Sequence, residues 1–63
     1  MKKNNKILIA GSSGMVGSSI VRALNLRGFN NLLTPNRREL DYFNKAKTRE
    51  FLRSNKPDLI IIA

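Results

Sequence analysis

The 63 residues contain no cysteine, no histidine and no tryptophan, and only 4 acidic side chains stand against 12 basic ones. Without cysteine, no disulfide can brace so small a core, and its absence fits a reducing compartment and a cytoplasmic protein. With histidine missing as well, the usual nitrogen and sulfur ligands of a zinc site are gone, so no metal site is expected. The ring side chains are Tyr42, Phe29, Phe43 and Phe51, which form no recognisable single-strand-binding signature. Long apolar runs are lacking too. Ile7 to Gly11 and Leu59 to Ala63 fall far short of the about 20 residues that span a bilayer, and no membrane association is expected. Lys2, Lys3 and Lys6 before Ile7-Leu8-Ile9-Ala10 faintly mimic a secretory leader, but the glycine loop and polar helix after them favour an ordinary cytosolic N-terminus. The formal charge of +8 is scattered along the chain rather than gathered in a patch. An excess of this kind concerns solubility and nonspecific attraction, and no nucleic-acid partner is expected from it.

What the chain does have is a short apolar strand, Lys6-Ile7-Leu8-Ile9-Ala10, running straight into Gly11-Ser12-Ser13-Gly14-Met15-Val16-Gly17-Ser18. The glycines are spaced G-x-x-G-x-x-G. Strand, glycines and helix succeed one another in the order by which backbone grips the pyrophosphate of a dinucleotide. Gly11 makes the tight turn out of the strand, Gly14 lets backbone approach phosphate oxygens, and Gly17 lets the helix approach the sheet. Unpaired N–H groups around Gly14 to Gly17 supply donors and a favourable dipole for an anion. The hydroxyls of Ser12 and Ser13 add donors without charge. No Gly-Lys-Ser/Thr is present after the glycines, which excludes the nucleoside-triphosphate loop. The alternative is a glycine-rich turn with no ligand.

The elements can be read from periodicity and punctuation. Ile7 to Ala10 reads as the first strand and Met15 to about Arg27 as the first helix, with Val16, Ile20, Leu24, Val21 and Ala23 on its apolar stripe. Met15, at the helix start, either touches a cofactor or fills the core. Gly28 caps the helix end. A short strand around Leu32-Leu33-Thr34 stops at Pro35. A second helix, from about Lys45 to Asn55, has Asn44 as its N-cap and Thr48, Phe51 and Leu52 on one face. Pro57-Asp58 ends it and opens a last strand, Leu59 to Ile62. The fold class is therefore α/β, a Rossmann-type doubly wound parallel sheet represented by its N-terminal β-α-β-α-β part. Right-handed crossovers are expected to put the helices on one face. The last strand reads as a buried one, which needs neighbours on both sides. Residues 1–63 are expected to be the front of a longer NADP-binding domain, with a substrate domain after it.

Cofactor choice rests on the segment after the second strand. Free ribose hydroxyls call for an acid about 20 residues after the glycines, and a 2′-phosphate calls for Arg or Lys. That segment reads Thr34-Pro35-Asn36-Arg37-Arg38, which favours NADP(H) over NAD(H). Arg37, and next Arg38, can clamp phosphate or stack on adenine. The competing reading is a solvated surface pair. Glu39 either contacts ribose or neutralises a neighbouring arginine, and Leu40 anchors the loop.

The segments Lys6 to Gly11, Gly14-Met15-Val16-Gly17-Ser18, Asn36-Arg37-Arg38-Glu39-Leu40-Asp41, Phe51-Leu52 and Lys56 to Ala63 together resemble the N-terminus of the GDP-L-fucose synthases. That family belongs to the extended short-chain dehydrogenase/reductases. The resemblance runs over nearly the whole chain after residue 5. It implies an NADP-binding domain and a GDP-linked sugar substrate: GDP-4-keto-6-deoxy-D-mannose is epimerised at C3 and C5 and reduced at C4 by NADPH. It also implies a homodimer. Gly11, Ser13, Gly14, Met15 and Val16 would lie along the pyrophosphate, Arg37 near the adenosine phosphate, Asp41 and Tyr42 near adenine, and Ala63 under the cofactor. The family usually carries His-Arg where this chain has Ser12-Ser13, which shifts weight onto Arg37 and Arg38. The family's catalytic groups fall beyond residue 63. Tyr42 is not the catalytic tyrosine, because position 46 is alanine where the family's Tyr-x-x-x-Lys needs lysine.

Three rivals share parts of this pattern: an extended reductase or epimerase for another nucleotide sugar, a noncatalytic NADP-binding module, and a basic nucleic-acid module that would bind in a salt-sensitive way.

Overall fold

Strand β1 (Ile7–Ala10), helix α1 (Met15–Leu26), strand β2 (Leu32–Leu33), helix α2 (Lys45–Asn55) and strand β3 (Leu59–Ile62) occur in that order in a computed structural model describing residues 1–63. The sheet has strand order β2-β1-β3 and both pairings are parallel. Ile7 and Leu8 pair with Leu32 and Leu33 on one side. On the other, Ile7 to Ala10 register with Leu59 to Ile62.

Each helix end has a local cause. α1 closes in a Schellman arrangement. Gly28, at φ +90°, donates its N–H to the Asn25 carbonyl at 3.1 Å, and Phe29 donates to the Leu24 carbonyl at 3.0 Å. Phe29 also packs on the cluster containing Leu24, the apolar contact that accompanies this cap. At the start of α2 the Asn44 side-chain oxygen accepts the Lys47 N–H at 3.0 Å, as expected of an N-cap. Lys56 ends the helix in the left-handed region at φ 47°, with Pro57 behind it. No helix is long and apolar enough to cross a membrane.

The core lies on β1. Ile7, Ile9 and Leu24 form a buried cluster against which Ile20, Val21, Phe29, Leu32 and Ile61 pack. The stripe of α1 is thus Gly17, Ile20, Val21 and Leu24, at spacings of three and four. Val16 and Ala23, expected on it, are exposed, since the arc that runs through Gly17 leaves both to one side.

Successive strand residues point to opposite faces. Leu8 is only 2% exposed although it faces away from the Ile7–Ile9 cluster, so the second face of the sheet is covered too. This corrects the expectation of helices on one face. From β1 the chain moves outward to β2, then back across β1 to β3. Two right-handed crossovers running in opposite directions put α1 and α2 on opposite faces. The double winding is already complete in miniature. Leu59, Ile60 and Ile62 of β3 are exposed, because within residues 1–63 β3 pairs with β1 alone.

Candidate functional site

The topological switch lies beside β1, where the chain leaves outward through α1 and returns to β3. In open α/β sheets the crevice at the carboxyl ends of such strands is the ligand site. Here it holds the glycine loop. Gly11 turns out of β1 at φ +81°, and its carbonyl accepts the Gly14 N–H at 3.1 Å. A Cβ on Gly17 would collide with the Gly11 carbonyl and Ser12 backbone. A Cβ on Gly11 would meet the Ala63 carbonyl at 3.0 Å. Ala63 itself donates its N–H to Ala10 at 3.0 Å, so it lies directly beneath the loop. Gly14 is different. Its nearest internal neighbour would be the Gly11 oxygen at 3.4 Å, an ordinary contact distance, so internal packing does not explain why this position lacks a side chain.

The backbone donors of the loop are largely unspent. The N–H groups of Ser12, Ser13, Met15, Val16 and Gly17 bond to no acceptor in the chain. Gly14, expected among the free donors, instead uses its N–H in the turn. The Ser12 and Ser13 hydroxyls have no protein partner, whereas those of Ser18 and Ser19 fold back on the Met15 carbonyl at 3.1 and 3.0 Å. Such a row of donors at a helix N-terminus is matched to an anion. Met15 is 87% exposed, which removes the core-filling alternative for it.

Beside the loop is a cleft of about 140 Å³ that brings Gly11, Ser12 and Ser13 together with Arg37, Asp41 and Tyr42. Pro35, Leu40 and Phe43 complete its wall. Gly14, Met15, Val16, Gly17, Arg38 and Ala63 are not part of that wall. Arg37 is exposed and has no carboxylate partner, since the one ion pair of the chain joins Arg53 to Glu50 at 3.7 Å.

Glu39 does not neutralise a neighbouring arginine, the second of the roles expected of it. It forms no ion pair with an arginine and does not line the cleft. Its carboxylate accepts the Asn36 N–H at 3.1 Å, while the Asn36 side chain accepts the Glu39 N–H at 2.9 Å. The Asn36 carbonyl accepts the Leu40 N–H at 2.9 Å, and Leu40 is 2% exposed. This is a capping box around a single turn, and the Asn36-x-x-Glu39 spacing was its sequence signal. Asp41 then accepts the Phe43 N–H at 3.0 Å on its carboxylate. Partial burial pushes the hydroxyl of Tyr42, a residue still 39% exposed, above its ordinary pKa of 10.0. Phe43 is 91% exposed and was missed by sequence reasoning, because a lone aromatic between helix signals has no periodic partner to mark it.

Anion donors along the loop, a guanidinium without a counter-ion and a small ring-lined cleft suit a nucleotide's phosphates and base. The cleft wall holds no cysteine or lysine and no histidine.

The family described as the RmlD substrate binding domain matches residues 5–63. The chain belongs to that family. It is 43% identical over 61 residues to GDP-L-fucose synthase 1 of Arabidopsis thaliana, covering 97% of this chain and 19% of that protein. It is 36% identical over 58 residues to GDP-L-colitose synthase of Yersinia pseudotuberculosis, covering 92% of this chain and 18% of that protein. A solved structure of the GDP-mannoheptose C4 reductase from Campylobacter jejuni with NADP bound superposes with TM-score 0.97 at 40% identity, over 100% of this chain and 20% of that one. The chain thus spans about a fifth of the length of the relatives it matches.

Proposed function

We propose that residues 1–63 are the NADP(H)-binding front of an enzyme that reduces a GDP-linked keto-sugar. The observation that carries this reading is the set of unspent N–H groups of Ser12, Ser13, Met15, Val16 and Gly17 on a loop whose Ser12 and Ser13 share one cleft with an unpaired Arg37. The backbone donors of Ser12, Ser13, Met15, Val16 and Gly17, with Gly14 leaving room, hold the pyrophosphate. Arg37 takes the 2′-phosphate, and Arg38, outside the cleft wall, adds only longer-range charge. Asp41, Tyr42 and Phe43 receive the adenine end, and Gly11 and Ala63 form the floor beneath the cofactor. NADPH, when bound, supplies the hydride. This chain's residues bind and orient it, and the groups that position and polarise the sugar ketone lie outside residues 1–63.

Within that class we favour GDP-4-keto-6-deoxy-D-mannose as substrate, epimerised at C3 and C5 and reduced at C4 to GDP-L-fucose by a cytoplasmic homodimer with a separate substrate domain. The identity to plant GDP-L-fucose synthases over almost the whole chain supports it. Reduction of a GDP-heptose is the second reading, favoured by the superposition on the Campylobacter jejuni reductase. The deciding experiment monitors NADPH oxidation by the full-length protein with each keto-sugar in turn. Turnover of the deoxymannose derivative with GDP-L-fucose as product supports the first reading. Turnover of the heptose derivative alone establishes the second, and no NADPH binding at all rejects both.

A further inference from the structure

We infer that Asn36 and Glu39 are positioning residues for cofactor choice: their reciprocal bonds lock the turn that presents Arg37 to the cleft and withdraw the Glu39 carboxylate from it. This rests on the proposed NADP(H) site and adds a specificity device to it.

Arg37 occupies the first position of a one-turn segment that is not part of any helix. So short a turn has no cooperative backbone to hold it. Three bonds close it instead: Asn36 N–H to Glu39, Glu39 N–H to Asn36, and Leu40 N–H to the Asn36 carbonyl. Buried Leu40 pins its far end to the core, and Pro35 restricts the approach. The direction in which Arg37 leaves the backbone is therefore set by the capping box.

The same bonds settle an electrostatic conflict. The segment carries a carboxylate two residues after Arg37, and an acid in this region is the group that accepts the ribose hydroxyls of NAD(H). Facing the cleft, Glu39 would repel a 2′-phosphate or neutralise the guanidinium. Turned onto the Asn36 backbone, it does neither, and Arg37 keeps its charge for a ligand. The other carboxylate near the cleft is Asp41, which accepts the Phe43 N–H.

The test is calorimetric titration of the full-length protein with 2′,5′-ADP and with 5′-AMP, probes that differ only in the 2′-phosphate. The wild type is expected to prefer 2′,5′-ADP. Glu39→Ala should lose on the order of tenfold of that preference, since a misaimed clamp forfeits most of its bidentate geometry. Glu39→Gln keeps an acceptor for the Asn36 N–H and should hold the ratio within about twofold of wild type. A preference unchanged in Glu39→Ala overturns the proposal while leaving the NADP(H) site standing. Should that variant not fold, Glu39→Gln decides: a lost preference shows that the charge mattered and the bond did not, which also overturns it. A wild type that binds both probes equally removes the 2′-phosphate assignment itself, and the proposal with it.

Discussion

Gly17 rests directly against the carbonyl of Gly11, leaving no room between helix α1 and the end of β1 for even one methyl group. Gly14, three residues earlier, has such room. The two glycines therefore answer to different demands, one to packing and one to whatever approaches from outside.

Gly17→Ala is expected to destabilise the fold by about 3 kcal/mol or more, because the obstruction is backbone and cannot rotate away. Gly14→Ala should cost only about 1 kcal/mol through the poorer N-cap, yet weaken NADPH binding. Urea denaturation of both variants, with a cofactor titration of the second, checks the split. Equal destabilisation would show that the loop has a single role.

For Arg37→Ala the expected rise in the NADPH dissociation constant is about ten- to a hundredfold, the worth of a charge-assisted clamp. NADH binding should change by less than about threefold, since it lacks the phosphate concerned. Arg38→Ala, outside the cleft wall, should have the smaller effect. Parallel titrations with the two cofactors test this, and equal losses would remove Arg37 from the 2′-phosphate.

Phe43→Ala should leave stability within about 0.5 kcal/mol, as so exposed a side chain contributes little packing. Losing a stacking surface for the base should weaken NADPH and NADH alike, by about fivefold. Thermal unfolding and fluorescence titration on the same sample separate the two effects.

Tyr42 supplies a pH dependence. Its hydroxyl titrates above the ordinary 10.0 because partial burial disfavours the phenolate. The folded state thus holds this proton more tightly than the unfolded chain. The stabilisation is fully present below that ordinary value and fades as pH rises through the higher folded one. The difference in tyrosinate absorbance between wild type and Tyr42→Phe should show a midpoint above the ordinary value, and the variant should lose less stability at alkaline pH.

Sequence reasoning located what local signals control. α2 falls on Lys45–Asn55 as expected, because Asn44 caps it and Pro57 lies just beyond, and the strand bounds of β1 and β3 agree for similar reasons. The strand order was not legible. Nothing between Leu33 and Leu59 says whether the chain continues outward or crosses back over β1, and the expectation of one helical face failed there. The site divides in the same way. The loop spacing announced its donors, but which of them stay free depends on the Gly14–Gly11 bond. Glu39 was visible as a charge, while its pairing with Asn36 went unread although the Asn36-x-x-Glu39 spacing carried it.

The exposed edge of β3 has a consequence for how the isolated chain behaves in a tube. Leu59, Ile60 and Ile62 leave apolar side chains exposed beside unpaired ladder groups, the arrangement that recruits strands from other molecules. The charge of +8 keeps such molecules apart. Added salt shortens the reach of that repulsion from about 10 Å at 0.1 M to about 3 Å at 1 M. Self-association of the isolated chain is thus expected to follow ionic strength: dilute buffer should keep the chains single, and concentrated salt should let the edge find copies of itself.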